Sequence, residues 1–169
     1  MARQNAFREM FSFEGRIRRL DWWLISIGVG VLSGLVSPIA QIALGEATVP
    51  GTLGISPLTA ISITMQIAFT WPLLAAAVKR SHDRGQSGTL PVINLMLVWL
   101  PIVLAIVAPG LFKTPPLMWM LTGLFVINAL ISVWLLITLG FLDGTPGANQ
   151  YGPSPKGSAR GDYQAPRHD

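Results

Sequence analysis

The chain has 169 residues, of which 51% are apolar and only 12% charged, about half the charged share of an ordinary soluble domain. So little polar surface cannot cover a globule in water, and the absence of cysteine excludes disulfides, thiolate metal sites and a cysteine nucleophile. A formal charge of +4 would suit a nucleic-acid binder, but the basic residues lie along the edges of apolar segments, so no nucleic-acid partner is expected.

Residues 1–21 carry Phe7, Met10, Phe11, Ile17 and Leu20 at loosely helical spacing among arginines, interrupted at Gly15. This pattern predicts a short amphipathic segment lying in the headgroup region with its apolar side down. Four stretches without Asp, Glu, Lys or Arg follow, at 22–45, 47–78, 85–112 and 114–142. Each exceeds the roughly 20 helical residues needed to cross hydrocarbon. The expected fold is therefore all-α, an integral membrane bundle of four transmembrane helices near 22–44, 55–78, 90–111 and 117–142. The first is longer than the apolar region of a signal peptide and reads as a retained anchor. Residues 143–169 form a Gly- and Pro-rich tail with no large aliphatic side chain, expected to be disordered after 155.

Within the spans, Ser26, Gly30 and Gly34 make a small-residue stripe, expected to pack inside the bundle more readily than to form a dimer seam. Gln66, Asn94 and Asn128 are expected to hydrogen-bond across helices, and Pro72 and Pro101 to kink theirs. No ionisable side chain lies within a span, which argues against proton-coupled transport.

Orientation follows from the cations. Eleven of the twelve precede the first span, follow the second or follow the fourth, and Lys113 alone falls on the other side. The positive-inside rule then places both termini and the island KRSHDRGQSG, residues 79–88, in the cytoplasm of a multi-pass protein of the bacterial inner membrane.

Three polar blocks share that face: FSFEGRIRRLDWW, AVKRSHDRGQSG and GTPGANQYGPSP. In order and position they resemble a family of small bacterial inner-membrane proteins known as domain of unknown function 805. The chain departs from the usual pattern at Arg18, Ser81 and Thr89-Leu90. The resemblance implies a four-helix membrane protein and brings no activity with it.

The candidate residues on this face are Arg16, Arg19, Lys79, Arg80, His82, Asp83, Arg84, Gly85, Ser87, Gly88, Asn149, Tyr151 and Gly152. Retention signals and turn formation account for the cations and for Gly85, Ser87 and Gly88, but not for His82 beside Asp83. Glycine-permitted backbone, with a positive φ expected at Gly88, together with the arginines, would hold an anionic lipid headgroup or an acidic partner segment. In the last block Gly147 and Gly152 permit positive φ, Asn149 can bond its own backbone, and Tyr151 can anchor at the interface, unless the block folds back as a lid. Catalysis is weakly supported: neighbours on a helix do not share a face, and Asp21, Asp83 and Asp143 each sit where an arginine can pair with them. No cofactor or metal is expected. The reading is a non-enzymatic membrane module that binds anionic lipid headgroups or a membrane-protein partner at its cytoplasmic face. The alternative is a small oligomeric channel or transporter for a neutral or passively moving solute, and a homo-oligomer fits either.

Overall fold

The computed structural model describes residues 10–44, 57–108, 110 and 115–157. Phe7, Lys113, the connection at 45–56 and the tail from 158 onward lie outside the described residues. Four helices are present among those described: α1, Arg19–Leu44; α2, Pro57–Asp83; α3, Thr89–Val107; and α4, Pro115–Gly140. The only β-type pairing among them is an isolated bridge between Asn149 and Gly152. Helices α1, α2 and α4 are long and apolar enough to cross a membrane; the apolar run of α3, Thr89–Leu104, is shorter. In hydrocarbon every backbone N–H and C=O must find its partner within the segment, so uninterrupted apolar runs of this kind resolve into helix.

Helix boundaries differ from expectation where polar residues continue the helix. Helix α2 runs five residues past 78, so Lys79, Arg80, Ser81, His82 and Asp83 form its last turn and a half rather than a loop. None of the five breaks a helix, and the stop comes at Gly85, with φ of +70°. At the other end of the chain, residues 12–18 are irregular, and α1 begins at Arg19. The carboxylate of Asp21, in the first turn of α1, accepts from the backbone N–H of Arg18 at 3.2 Å, the reciprocal half of a capping box. Asp21 thus caps a helix, and among the described residues it makes no ion pair with an arginine side chain.

The helices form a ring in chain order; α2 and α4 touch across its centre, whereas α1 and α3 do not. The tight core, Trp22, Ala76, Leu135 and Leu139, joins the first turns of α1 to the last turns of α2 and α4. Packing is therefore densest at the end that carries the polar blocks. Gly140 permits it: an added Cβ would lie 2.9 Å from the Trp23 ring and 3.1 Å from that of Trp22. Along the rest of the bundle Leu24, Trp119, Phe125 and Leu130 face outward, as a lipid-facing surface requires.

Two expectations about the interior divide. Asn128 donates from Nδ2 to the Asn94 side-chain oxygen at 3.0 Å and its carbonyl at 3.1 Å, and Ser132 donates to the same side-chain oxygen at 3.2 Å. Gln66 is exposed and makes no such bond among the described residues. The small-residue stripe divides too: Ser26 lines a cavity inside the bundle with Leu73, Asn94 and Ser132, whereas no described atom lies within 4 Å of a Cβ added at Gly30 or Gly34, so no backbone approaches α1 closely there. Helices α2 and α3 continue through Pro72 and Pro101, and α1 through Pro38.

Candidate functional site

The last carbonyls of any helix lack intrahelical partners, and the helix end carries roughly half a negative charge. Here the C-termini of α2 and α4 meet on one face, and side chains from distant parts of the chain cap both. At the end of α4, Arg80 donates through Nε to the Leu139 carbonyl at 2.9 Å and through a terminal nitrogen to that of Leu142. Trp23 Nε1 donates to the Gly140 carbonyl at 2.9 Å, and Arg19 to that of Phe141 at 3.0 Å. At the end of α2, the Asp83 carbonyl accepts from the Thr145 N–H at 2.8 Å and its hydroxyl at 3.0 Å. The His82 carbonyl accepts from Asn149 Nδ2 at 2.8 Å.

Arg16 stands at the centre. Its side chain is 1% exposed and lies 2.9 Å from the Asp83 carboxylate, which also pairs with Arg80 one turn earlier on α2. The remaining guanidinium protons go to the carbonyls of Gly147 at 2.8 Å, Thr145 at 2.8 Å and Gly152 at 3.2 Å. The irregular backbone of residues 12–18 allows this inward turn; a surface helix would have left Arg16 in the headgroups. One side chain therefore ties the segment before α1 to the end of α2 and to the loop after α4. The resulting latch is an interaction of high sequence separation that no local pattern announces.

The tail loop folds back over Asp83 as it enters the latch. Gly144 must be glycine, since an added Cβ would fall 1.9 Å from an Asp83 carboxylate oxygen and 2.9 Å from its carbonyl. Gly147 and Gly152 have φ of +70° and +127°, as the turn chemistry of the block predicts. Asn149 bonds the Tyr151 N–H through its side-chain oxygen at 2.9 Å, closing the turn that sets the Tyr151 ring parallel to His82, with centroids 3.9 Å apart. His82 Nδ1 lies 3.2 Å from the Gly15 carbonyl.

Gly88 departs from expectation. Its φ is −74°, so it needs no left-handed backbone; it is small because a Cβ there would lie 2.5 Å from a methyl of Val78. It marks a close approach of the start of α3 to α2.

Of the candidate residues, Arg16, Arg80, His82, Asp83, Asn149, Tyr151 and Gly152 are brought together in the latch. Lys79 is buried at their side, while Arg19, Gly85 and Ser87 are exposed around them. Arg19 is 4.0 Å from Asp143, which Lys156 approaches at 3.1 Å; the hydrogen bond and charge of Lys156 and the charge of Arg19 hold the Asp143 carboxyl below its usual range. Arg84 differs from the others. Its Nη1 is shielded from solvent and has no hydrogen-bond partner among the described residues. Sequence reasoning missed Gly144, Thr145 and the carbonyl acceptors of α4; the sole signal for them was the turn-former spacing of GTPG. Among the described residues no group of three or more His, Asp and Glu side chains is placed to hold a metal ion.

The family model described as "Protein of unknown function (DUF805)" matches residues 10–153, a span that runs from just before the Arg16 segment to just past Gly152. YiiR, an uncharacterized protein of Escherichia coli (strain K12), is 34% identical over 145 residues, 85% of each chain. The inner membrane protein YhaI of the same organism is 23% identical over 152 residues, 90% of this chain and 92% of YhaI. No solved structure matches.

Proposed function

The chain belongs to the DUF805 family of membrane proteins, and on that premise we propose that it is a non-enzymatic, four-span module of the inner membrane that holds the phosphate of an anionic lipid against its cytoplasmic face through Arg84. The observation that carries this reading is the shielded Nη1 of Arg84, which has no partner although the neighbouring guanidinium groups of Arg16 and Arg80 have theirs. Charge supports the same reading. Arg16 and Arg80 are offset by Asp83 together with the two helix ends, worth about half a charge each, which leaves Arg84 as excess positive charge. A guanidinium N–H shielded from water without an acceptor is costly, and a phosphate oxygen supplies the acceptor that Nη1 lacks. Arg84 follows the end of α2, where an apolar span gives way to polar chain, so a headgroup reaches it without leaving the bilayer surface.

The test uses the full chain purified in a neutral detergent. Phosphatidylglycerol raises the thermal unfolding midpoint and phosphatidylcholine does not; at ten times Kd the stabilisation is about 1.4 kcal/mol. Arg84→Gln abolishes the difference, and Arg84→Lys retains part of it. Equal response to both lipids, or an unchanged response in Arg84→Gln, refutes the proposal. A protein captured by photocrosslinking from position 87, without any lipid effect, would make the partner a protein. Solute flux through vesicles holding the chain alone would make it a channel.

A further inference from the structure

Beside the latch, the last turn of α2, Gln86 and Ser87 of the following loop, the start of α3 and the end of α4 border an open-sided cavity of about 430 Å³. That volume lies within the roughly 300–1,000 Å³ of small-molecule sites. Its cytoplasmic end is lined by Ser81, Gln86, Ser87, Thr89 and Thr138, and its deeper part by Leu90, Ile93, Trp134 and Leu135. Two features of this lining define a ligand. No charged side chain lines the cavity, although cations crowd the adjacent latch. Polarity is also graded, with neutral hydrogen-bonding groups at the headgroup end and apolar groups toward the hydrocarbon.

We propose that this cavity binds an uncharged acyl amphiphile of the glycerol-ester class, its hydroxyl and ester groups among the serine and threonine side chains and its chain along Ile93, Trp134 and Leu135. The hydroxyl protons of the two buried residues are already committed. Ser81 donates to the Ala77 carbonyl at 3.0 Å and Thr138 to that of Leu135 at 3.2 Å, so toward the cavity both oxygens are acceptors. Ser87 and Thr89 share one proton at 3.1 Å, which leaves the other hydroxyl proton and the Gln86 amide as donors. An alcohol can donate to the first pair, and an ester carbonyl can accept from the second. A carboxylate or phosphate could accept from the second pair but has no proton for the two buried acceptors, and no cation in the lining offsets its charge. Trp134 and Ile93 are 59% and 45% exposed on the membrane side, so the ligand enters laterally from the bilayer. The proposal rests on the cavity's own lining and not on the Arg84 reading.

The experiment reconstitutes the full chain in phosphatidylcholine vesicles with three probes that carry a diazirine at the same chain position: a 1-monoacylglycerol, the corresponding fatty acid and a phosphatidylglycerol. Labelled peptides are mapped by mass spectrometry. The monoacylglycerol labels the segments around Ile93 and Trp134 and is displaced by unlabelled monoacylglycerol, while the fatty acid labels them at least about fivefold less, the effect of one hydrogen bond. Ser87→Trp, at an exposed position, fills the mouth and lowers monoacylglycerol labelling by about the same factor; Gln86→Leu removes a donor and also lowers it. Equal labelling by monoacylglycerol and fatty acid would overturn the proposal, as would unchanged labelling in Ser87→Trp. Labelling of these segments by phosphatidylglycerol alone would assign the cavity to the anionic site and overturn it too. If Arg84→Gln abolishes the phosphatidylglycerol effect and leaves monoacylglycerol labelling intact, the two sites are separate, as proposed.

Discussion

Replacing Arg16 with alanine removes the hub of the latch. Asp83 keeps Arg80 but loses its second cation, and the carbonyls of Thr145, Gly147 and Gly152 lose a donor. Removing one partner of a buried ion pair costs about 3–5 kcal/mol, and the surviving Arg80 pairing places the expected loss near the lower end, at about 3 kcal/mol. Lysine restores charge but cannot fork among four acceptors, so Arg16→Lys recovers less than half of the loss. The assay is unfolding of the purified chain in mixed micelles of increasing denaturing detergent, paired with limited proteolysis of the loop at 144–157. The loop is cleaved faster in Arg16→Ala because its anchor is gone. A cycle joining Arg16→Met and Asp83→Leu isolates the pair: the double variant is more stable than the sum of the single losses predicts, by about 1–3 kcal/mol. If Arg16→Ala unfolds within about 0.5 kcal/mol of the parent and its loop resists protease equally, the latch does not hold these elements together.

Two glycine substitutions separate backbone strain from crowding. Gly88→Ala is destabilising by about 1–3 kcal/mol although its φ is ordinary, and Val78→Ala in the same chain restores part of the loss by clearing the methyl 2.5 Å from the new Cβ. Gly144→Ala costs at least as much and has no single-residue rescue, since the clash includes the Asp83 backbone. Asp143 supplies a pH test. A carboxylate held below its unfolded value adds stability that is present above that value and lost as pH falls through the folded one, so thermal midpoints decline as acidification passes below the ordinary carboxylate range. Asp143→Asn shallows the slope, and an unchanged slope would show that Lys156 and Arg19 do not act on it. Reporter fusions after Glu46 and Lys113 read as external and those after Ser87 as cytoplasmic; an external reading at Ser87 would remove the shared face on which the function rests.

Composition and the spacing of charges specify the class of molecule and the rough position of its helices. Long runs without charge have one stable solution in hydrocarbon, and that signal is local, so α1, α2 and α4 were legible to within a few residues. Turn chemistry at Gly147 and Gly152 was legible for the same reason, because positive φ is a property of one residue and its neighbours. Tertiary structure alone decided what the polar blocks do. Lys79 to Asp83 read as loop because charge ordinarily marks the end of an apolar span, yet the helix continued because Asp83, Arg80 and Arg16 satisfied one another away from water. Arg16 and Asp83 are 67 positions apart, and Arg16 and Thr145 are 129 apart. No periodicity encodes such a pairing; it exists because the ring of helices brings the C-termini of α2 and α4 together and leaves their unpaired carbonyls for arginines to cap. Gly144 carries the same lesson, since it is glycine on account of an atom far along the chain, Asp83 Oδ2, while Gly88 is glycine on account of a Val78 methyl brought back to it across the turn between α2 and α3.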